Sequence, residues 1–134
     1  MKVTSQKNAT TVSREKIFGL ISNCKNFAGF LPSQMQDVEI TEESCSFSIP
    51  GITRLILSIV KKTEFEEVCY QANNDKNIPV NIAIFITKES DEVNAISVEV
   101  DLDVPIFLSG MIKTPLQNFV DMIAPKIKEA AEKA

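Results

Sequence analysis

Residues 96–131 read ISVEVDLDVPIFLSGMIKTPLQNFVDMIAPKIKEAA, and within them the spacing of apolar residues changes from two to that of a helix. In the first part Ile96, Val98, Val100, Leu102 and Val104 share one face, while Ser97, Glu99, Asp101 and Asp103 share the other. Strict alternation of this kind predicts a half-buried antiparallel strand. From Ile106 to Ala131 the apolar residues recur at helical spacing, with Leu116, Phe119, Val120, Ile123 and Ile127 on one stripe and Gln117, Asp121, Lys128 and Glu132 largely opposite. The helix is expected in two pieces. Ile106 to Ile112 forms a short first piece after Pro105. Thr114-Pro115-Leu116-Gln117 then supplies a capping threonine, a proline at the first helical position and a glutamine three residues after the cap, so the main helix should begin there. Pro125 falls inside it and removes the usual donor to the Asp121 carbonyl, which predicts a local kink that follows the curve of a sheet.

Working outward, no helical period is found between Met35 and Asp103, and the intervening segments read as strands joined by short turns. Val38 and Ile40 alternate with polar neighbours, Glu42-Glu43 turns, and Cys45, Phe47 and Ile49 alternate with serines. Pro50-Gly51 is a turn signal. Leu55 to Val60 and Phe65 to Ala72 follow, then the turn-forming run Asn73 to Asn77. Val80, Ile82, Ile84 and Ile86 line one face of the next strand. Near the start, Lys2 to Thr10 permits a strand through its Thr and Ser content. Ser13 then caps a helix with Ile17, Leu20, Ile21 and Cys24 on one stripe, and a second short turn through Asn26 to Phe30 ends at Leu31-Pro32. Strands bracketed by an early helical pair and a long final helix suggest a sheet wrapped around that helix. Such an arrangement encloses apolar space, which more often holds a ligand than a catalytic centre.

The chain has 134 residues, enough for one domain (1–134) that buries roughly two thirds of its unfolded surface. A net charge of −4 and the absence of a basic stripe argue against a nucleic-acid partner; Lys61-Lys62 is followed at once by Glu64, Glu66 and Glu67. No segment has the length of a membrane span, and the N-terminal residues lack the apolar run of a signal peptide. Cys24, Cys45 and Cys69 are odd in number and widely spaced, which indicates neither a disulfide framework nor a zinc site. A cytoplasmic protein without metal or cofactor is expected.

Histidine is absent, which removes the usual general base at neutral pH. Glu99, Asp101 and Asp103 share a strand face and could hold a hard cation, yet a solvated outer face accounts for the same spacing. Cys45 and Cys69 lack a neighbouring cation in sequence and read as structural thiols. Tyr70, the one tyrosine, either places its hydroxyl in a cavity or packs as core. The residues expected to line any cavity are Phe47, Leu57, Tyr70, Ile82, Ile84, Val98, Val100, Met111, Phe119 and Ile123. A filled core would use the same residues. On the outer face Phe85, Ile56 and Val60 are expected to form a patch that supports a weak homodimer.

The runs SCSFSIPGITRLILSIV (44–60), IPVNIAIFI (78–86) and VDLDVPIFLSGMIKTPLQNFVDMIAPKI (100–127) resemble a small bacterial branch of the START-like helix-grip superfamily, also labelled SRPBCC, which holds pollen allergens, polyketide cyclases and ubiquinone-binding proteins. The resemblance covers essentially the whole chain. It implies an α+β helix-grip fold: a curved antiparallel sheet of about six to seven strands around a long C-terminal helix, with a short helical pair after the first strand. It further implies a hydrophobic cavity between sheet and helix for a lipid-like or polyketide-like molecule. Two other functions stay open, a cyclase-like or hydrolase-like enzyme working through Tyr70 or a carboxylate, and a protein-interaction module with a filled core.

Overall fold

The computed structural model describes residues 1–29, 36–49, 53–74, 78–104 and 106–133. The strands are β1 (Lys2–Thr4), β2 (Asn8–Thr10), β3 (Gln36–Ile40), β4 (Ser44–Ile49), β5 (Thr53–Thr63), β6 (Glu67–Asn73), β7 (Val80–Lys88) and β8 (Asn94–Leu102). Helix α1 spans Arg14–Ile21 and is followed by a 3-10 helix over Cys24–Gly29; α2 spans Ile106–Lys133. All strand pairs are antiparallel and form one sheet in the order β1-β8-β7-β6-β5-β4-β3, with β2 also paired to β8. The expected helix-grip α+β architecture is present. The turns expected at Leu31-Pro32, Pro50-Gly51 and residues 75–77 lie outside the described residues.

The N-terminal segment forms two short strands on β8 instead of one. Between them Ser5 keeps the segment bound, its amide donating to the Val98 carbonyl (2.8 Å) and its hydroxyl accepting from the Val98 amide (2.9 Å). A buried amide needs a partner, and the Ser5 side chain supplies one where the ladder is interrupted. Helix α1 starts as its sequence indicates, with the Ser13 hydroxyl accepting from the Lys16 amide. It stops at Ile21, so Cys24 opens the 3-10 helix and does not extend the α1 stripe.

Phe65 sits in the β5–β6 turn, outside the strand expected to include it, with a φ of 63°. A bulky side chain rarely adopts this left-handed backbone. Its ring packs edge-on against Phe18 of α1, centroids 5.7 Å apart. One bulge, at Val60 between Ile59 and Lys61, shifts the register of β5 against β6, so that Ile59 packs against the core while Val60 and Lys61 are exposed.

Helix α2 is one continuous helix, not two pieces, with Pro115 and Pro125 both inside it. Gln117, expected to reach back to a cap, instead donates to the Thr4 carbonyl (3.0 Å) and to the Asp121 carboxylate (3.1 Å), which ties the helix to β1. The helix rests on β8, β1 and β2. Its buried stripe, Leu116, Phe119, Val120, Ile123, Ala124, Ile127 and Ala131, closes one core with the inner faces of the strands. No helix among the described residues is long and apolar enough to cross a membrane.

Candidate ligand-binding site

Cross-strand register arranges the inner wall in rows. Leu57, Ala72, Val80 and Leu102 are successive partners across β5 to β8, and Tyr70, Ile82 and Val100 form the next row. Val68, Ile84 and Val98 form the third. Opposite them, α2 presents Leu116, Phe119 and Ile123. Phe47 of β4 reaches across to Phe119; the two rings stack with centroids 6.4 Å apart and planes 24° apart.

Nine of the ten residues expected at a cavity are buried in this one cluster: Phe47, Leu57, Tyr70, Ile82, Ile84, Val98, Val100, Phe119 and Ile123. The tenth, Met111, is 73% exposed and does not belong to it. Five residues from its place to Leu116 turn a continuous helix by about 500°, which puts Met111 about 140° from the buried stripe. Leu55, Val80, Leu102 and Leu116 also belong to the wall, outside the expected set. Val80 and Leu102 carry the alternation signal and Leu116 the helical one, so the pattern held them.

Packing within the cluster is graded. Val120, Ala124, Ile127, Ala131 and Ile96 are fully inaccessible, whereas Leu55, Leu57, Val80, Ile82, Leu102, Leu116, Phe119 and Ile123 keep between 5% and 8% of their surface accessible. Close-packed interiors leave little such surface. The looser residues lie together, around the Leu57–Leu102 row and the Leu116–Ile123 part of α2. The residues that keep some accessible surface therefore lie toward the strand ends at Val80 and Leu102, and those that keep none lie along the C-terminal turns of α2.

The chemistry of the wall is aliphatic and aromatic. Tyr70 points inward, but its hydroxyl donates to the Ile21 carbonyl at the end of α1, and burial pushes its pKa well above the ordinary value. Cys24 and Cys45 are fully buried; burial raises both thiols, Cys45 to about 12. Cys69 faces outward with its Sγ 3.4 Å from the Glu67 carboxylate, and burial, that hydrogen bond and the carboxylate's charge keep it protonated. Neither strand cysteine is a nucleophile in waiting. Among the described residues, no group of three or more His, Cys, Asp or Glu side chains is arranged to hold a metal. Glu99 instead meets Lys2 (3.9 Å) and the Thr4 hydroxyl (3.5 Å) on the outer face.

Outside, Ile56 and Val60 are exposed as expected, but they do not join Phe85 in one patch. Two polar-bearing rows, Ser58–Gln71–Asn81 and Lys61–Cys69–Ala83, separate Ile56 from Phe85, which is half-buried beside Glu67. Concavities lined by described residues on this exterior, of about 370 to 480 Å³, carry mixed charge; one runs past Arg14, Glu66, Phe85 and Lys88.

No protein-family model matches the sequence, and no curated protein is similar to it. Solved structures are similar to it over nearly the full length. A START superfamily protein from Mycobacterium smegmatis superposes with a TM-score of 0.75 at 12% identity, over 98% of this chain and 97% of that one. A conserved protein from Geobacillus kaustophilus gives 0.75 at 11% identity over 99% and 96%. Norcoclaurine synthase from Thalictrum flavum, in complex with dopamine and hydroxybenzaldehyde, gives 0.77 at 12% identity over 99% and 87%. The sheet order, the helix that rests in its curve and these superpositions agree: the chain has the START-like helix-grip fold.

Proposed function

We propose that this chain binds a small hydrophobic molecule, lipid-like or polyketide-like, between the sheet and the Leu116–Ile123 part of α2, and does not transform it. The observation that carries this reading is the graded packing: Leu57, Val80, Ile82, Leu102, Leu116, Phe119 and Ile123 keep 5–8% of their surface accessible, while Val120, Ala124, Ile127 and Ala131 keep none. A molecule seated there would meet hydrocarbon and the Phe47–Phe119 pair. Each buried CH₂ would contribute about 0.8 kcal/mol. That a protein of this fold has been solved with two small molecules bound supports an occupied space over a filled core. A cyclase-like or hydrolase-like role would need a titratable side chain exposed to the ligand. Among the described residues the inward candidate, Tyr70, has its hydroxyl engaged by Ile21 and stays protonated. A cytoplasmic location belongs to the same proposal, since Cys24, Cys45 and Cys69 are free thiols.

Native mass spectrometry of the purified protein, followed by organic extraction, tests the proposal. The expected result is a defined hydrophobic adduct that is lost in Leu116→Trp, which fills the looser part of the wall. A clean apo mass that does not shift with fatty acids, sterols, quinones or flavonoids would overturn it in favour of an interaction module.

A further inference from the structure

The sheet has an open side at β3. No strand among the described residues pairs with the far edge of β3, and Gln36, Asp37, Val38 and Glu39 are all exposed. An exposed edge is a row of unpaired amides and carbonyls that invites another strand, and such an edge normally carries something that spoils it. The sequence of β3, Gln36-Asp37-Val38-Glu39-Ile40, alternates as a pairing strand does, and Val38 leaves 42% of its surface to solvent.

Two observations show what spoils this edge. Asp37 and Val38 together stand against the single residue Phe47 of β4, between the pairs Gln36–Ser48 and Glu39–Ser46. Within this bulge Asp37 has a φ of 52°, in the left-handed region that aspartate tolerates better than most residues but does not prefer. What holds it there comes from two strands away. Arg54 of β5 donates from one guanidinium nitrogen to the Asp37 carbonyl (2.9 Å) and from another to the Ser46 hydroxyl of β4 (3.0 Å). That second nitrogen lies 3.8 Å from the Glu39 carboxylate. A guanidinium suits this place because its donors are fixed in one plane and reach several acceptors at once. With the bond made, the Asp37 carbonyl is already occupied and its backbone is kept out of the extended form.

We propose that Arg54 locks β3 in a bulged form that another strand cannot join, and so keeps the open edge of the sheet from pairing with a second copy of this chain. Two straightened copies of β3 would meet antiparallel about Val38, with Val38 against Val38 and Asp37 of each copy opposite Glu39 of the other. Like charges directly opposite one another destabilise such a pair, so the two acids form a second barrier beside the lock. The lock acts whether or not the core holds a ligand.

Sedimentation velocity of the whole chain over a wide range of concentrations tests the lock. Glu39→Gln alone leaves the bond to the Asp37 carbonyl in place and should sediment as the wild-type chain does. Arg54→Met removes the donors and keeps an apolar stem, and Arg54→Met/Glu39→Gln also removes one of each facing pair of charges. The double variant should self-associate at least about tenfold more tightly than the wild type. Hydrogen exchange should show amides 36–40 gaining protection as it does so. Adding Val38→Lys puts a charge at the centre of the pairing and should return the chain to wild-type behaviour. A double variant that associates no more tightly than Glu39→Gln, or one whose association survives Val38→Lys, would overturn the proposal. Far-UV circular dichroism checks that each variant is folded; the Arg54 side chain is 36% exposed, so its loss empties no core space. Should Arg54→Met not fold, Arg54→Gln, too short to span both partners, replaces it under the same criteria.

Discussion

Truncating each member of the Phe47–Phe119 pair separates an enclosed space from a filled core. The two rings are stacked 6.4 Å apart, yet Phe47 is fully buried while Phe119 retains 8% of its surface. Replacing a fully packed phenylalanine by alanine costs about 3–5 kcal/mol, part of it for the cavity left behind. Phe47→Ala should fall at the upper end of that range. On the binding reading Phe119 borders ligand space, so its removal would enlarge that space and not open a new void. Phe119→Ala should therefore cost about 1–2 kcal/mol less than Phe47→Ala. The double variant should show a coupling of about 0.5–1.5 kcal/mol, the worth of an aromatic pair beyond its area. Urea unfolding at 25 °C, with m held as a check on two-state behaviour, measures all three. Equal costs for the two single variants, within about 0.5 kcal/mol, would refute the reasoning and place Phe119 in a solid core.

Three further outcomes follow from the same contacts. Tyr70→Phe leaves the Ile21 carbonyl buried without its hydroxyl donor and should cost about 1–3 kcal/mol in urea unfolding; a cost near zero would show that the bond adds nothing. Cys45 has its folded pKa raised from an ordinary 9.0 to about 12, and Tyr70 is raised above 10.0, so the folded state holds protons that the unfolded state releases. Stability from these groups is complete below about pH 9 and is lost as pH rises toward 12. Thermal unfolding followed from pH 8 to 12 should show this decline, and Cys45→Ala should make it shallower. A homodimer through the outer face would have to be built without Phe85, and we expect no more than weak association; a stable dimer at low micromolar concentration in sedimentation velocity would contradict this.

Much of the architecture was legible because burial on one face imposes a period. β7 alternates as read, and β8 does so from Val98 to its end at Leu102, although Ser97 is buried and Val104 lies beyond the strand; their register sets Val80 against Leu102 and Ile82 against Val100. Periodicity also placed nine of the ten expected residues in one cluster. What it could not show was which of them are loosely packed, since alternation reports direction and not volume. Nor could it show Phe65 in a left-handed turn, a conformation no local signal favours for an aromatic residue and one held here against Phe18. The break at Ser5 was equally hidden, because it depends on a side chain answering the Val98 amide across the sheet.

The misreading of α2 has a physical cause with functional weight. Thr114-Pro115-Leu116-Gln117 satisfies every local rule for a helix start, and those rules assume that the chain before the cap is not already helical. Here it is helical from Ile106, so Pro115 interrupts a helix and Gln117 is freed for the Thr4 carbonyl. Two separate pieces could each have rotated to bury their own apolar residues, with Met111 turned inward. A continuous helix fixes one phase for both, and the phase set by Leu116, Phe119 and Ile123 carries Met111 to the outside. Apolar surface left exposed beside a proline is then a direct consequence of continuity. A Met111→Cys variant carrying an environment-sensitive fluorophore should therefore emit as a water-exposed dye. A blue-shifted emission would show Met111 turned inward and would refute the single helical phase.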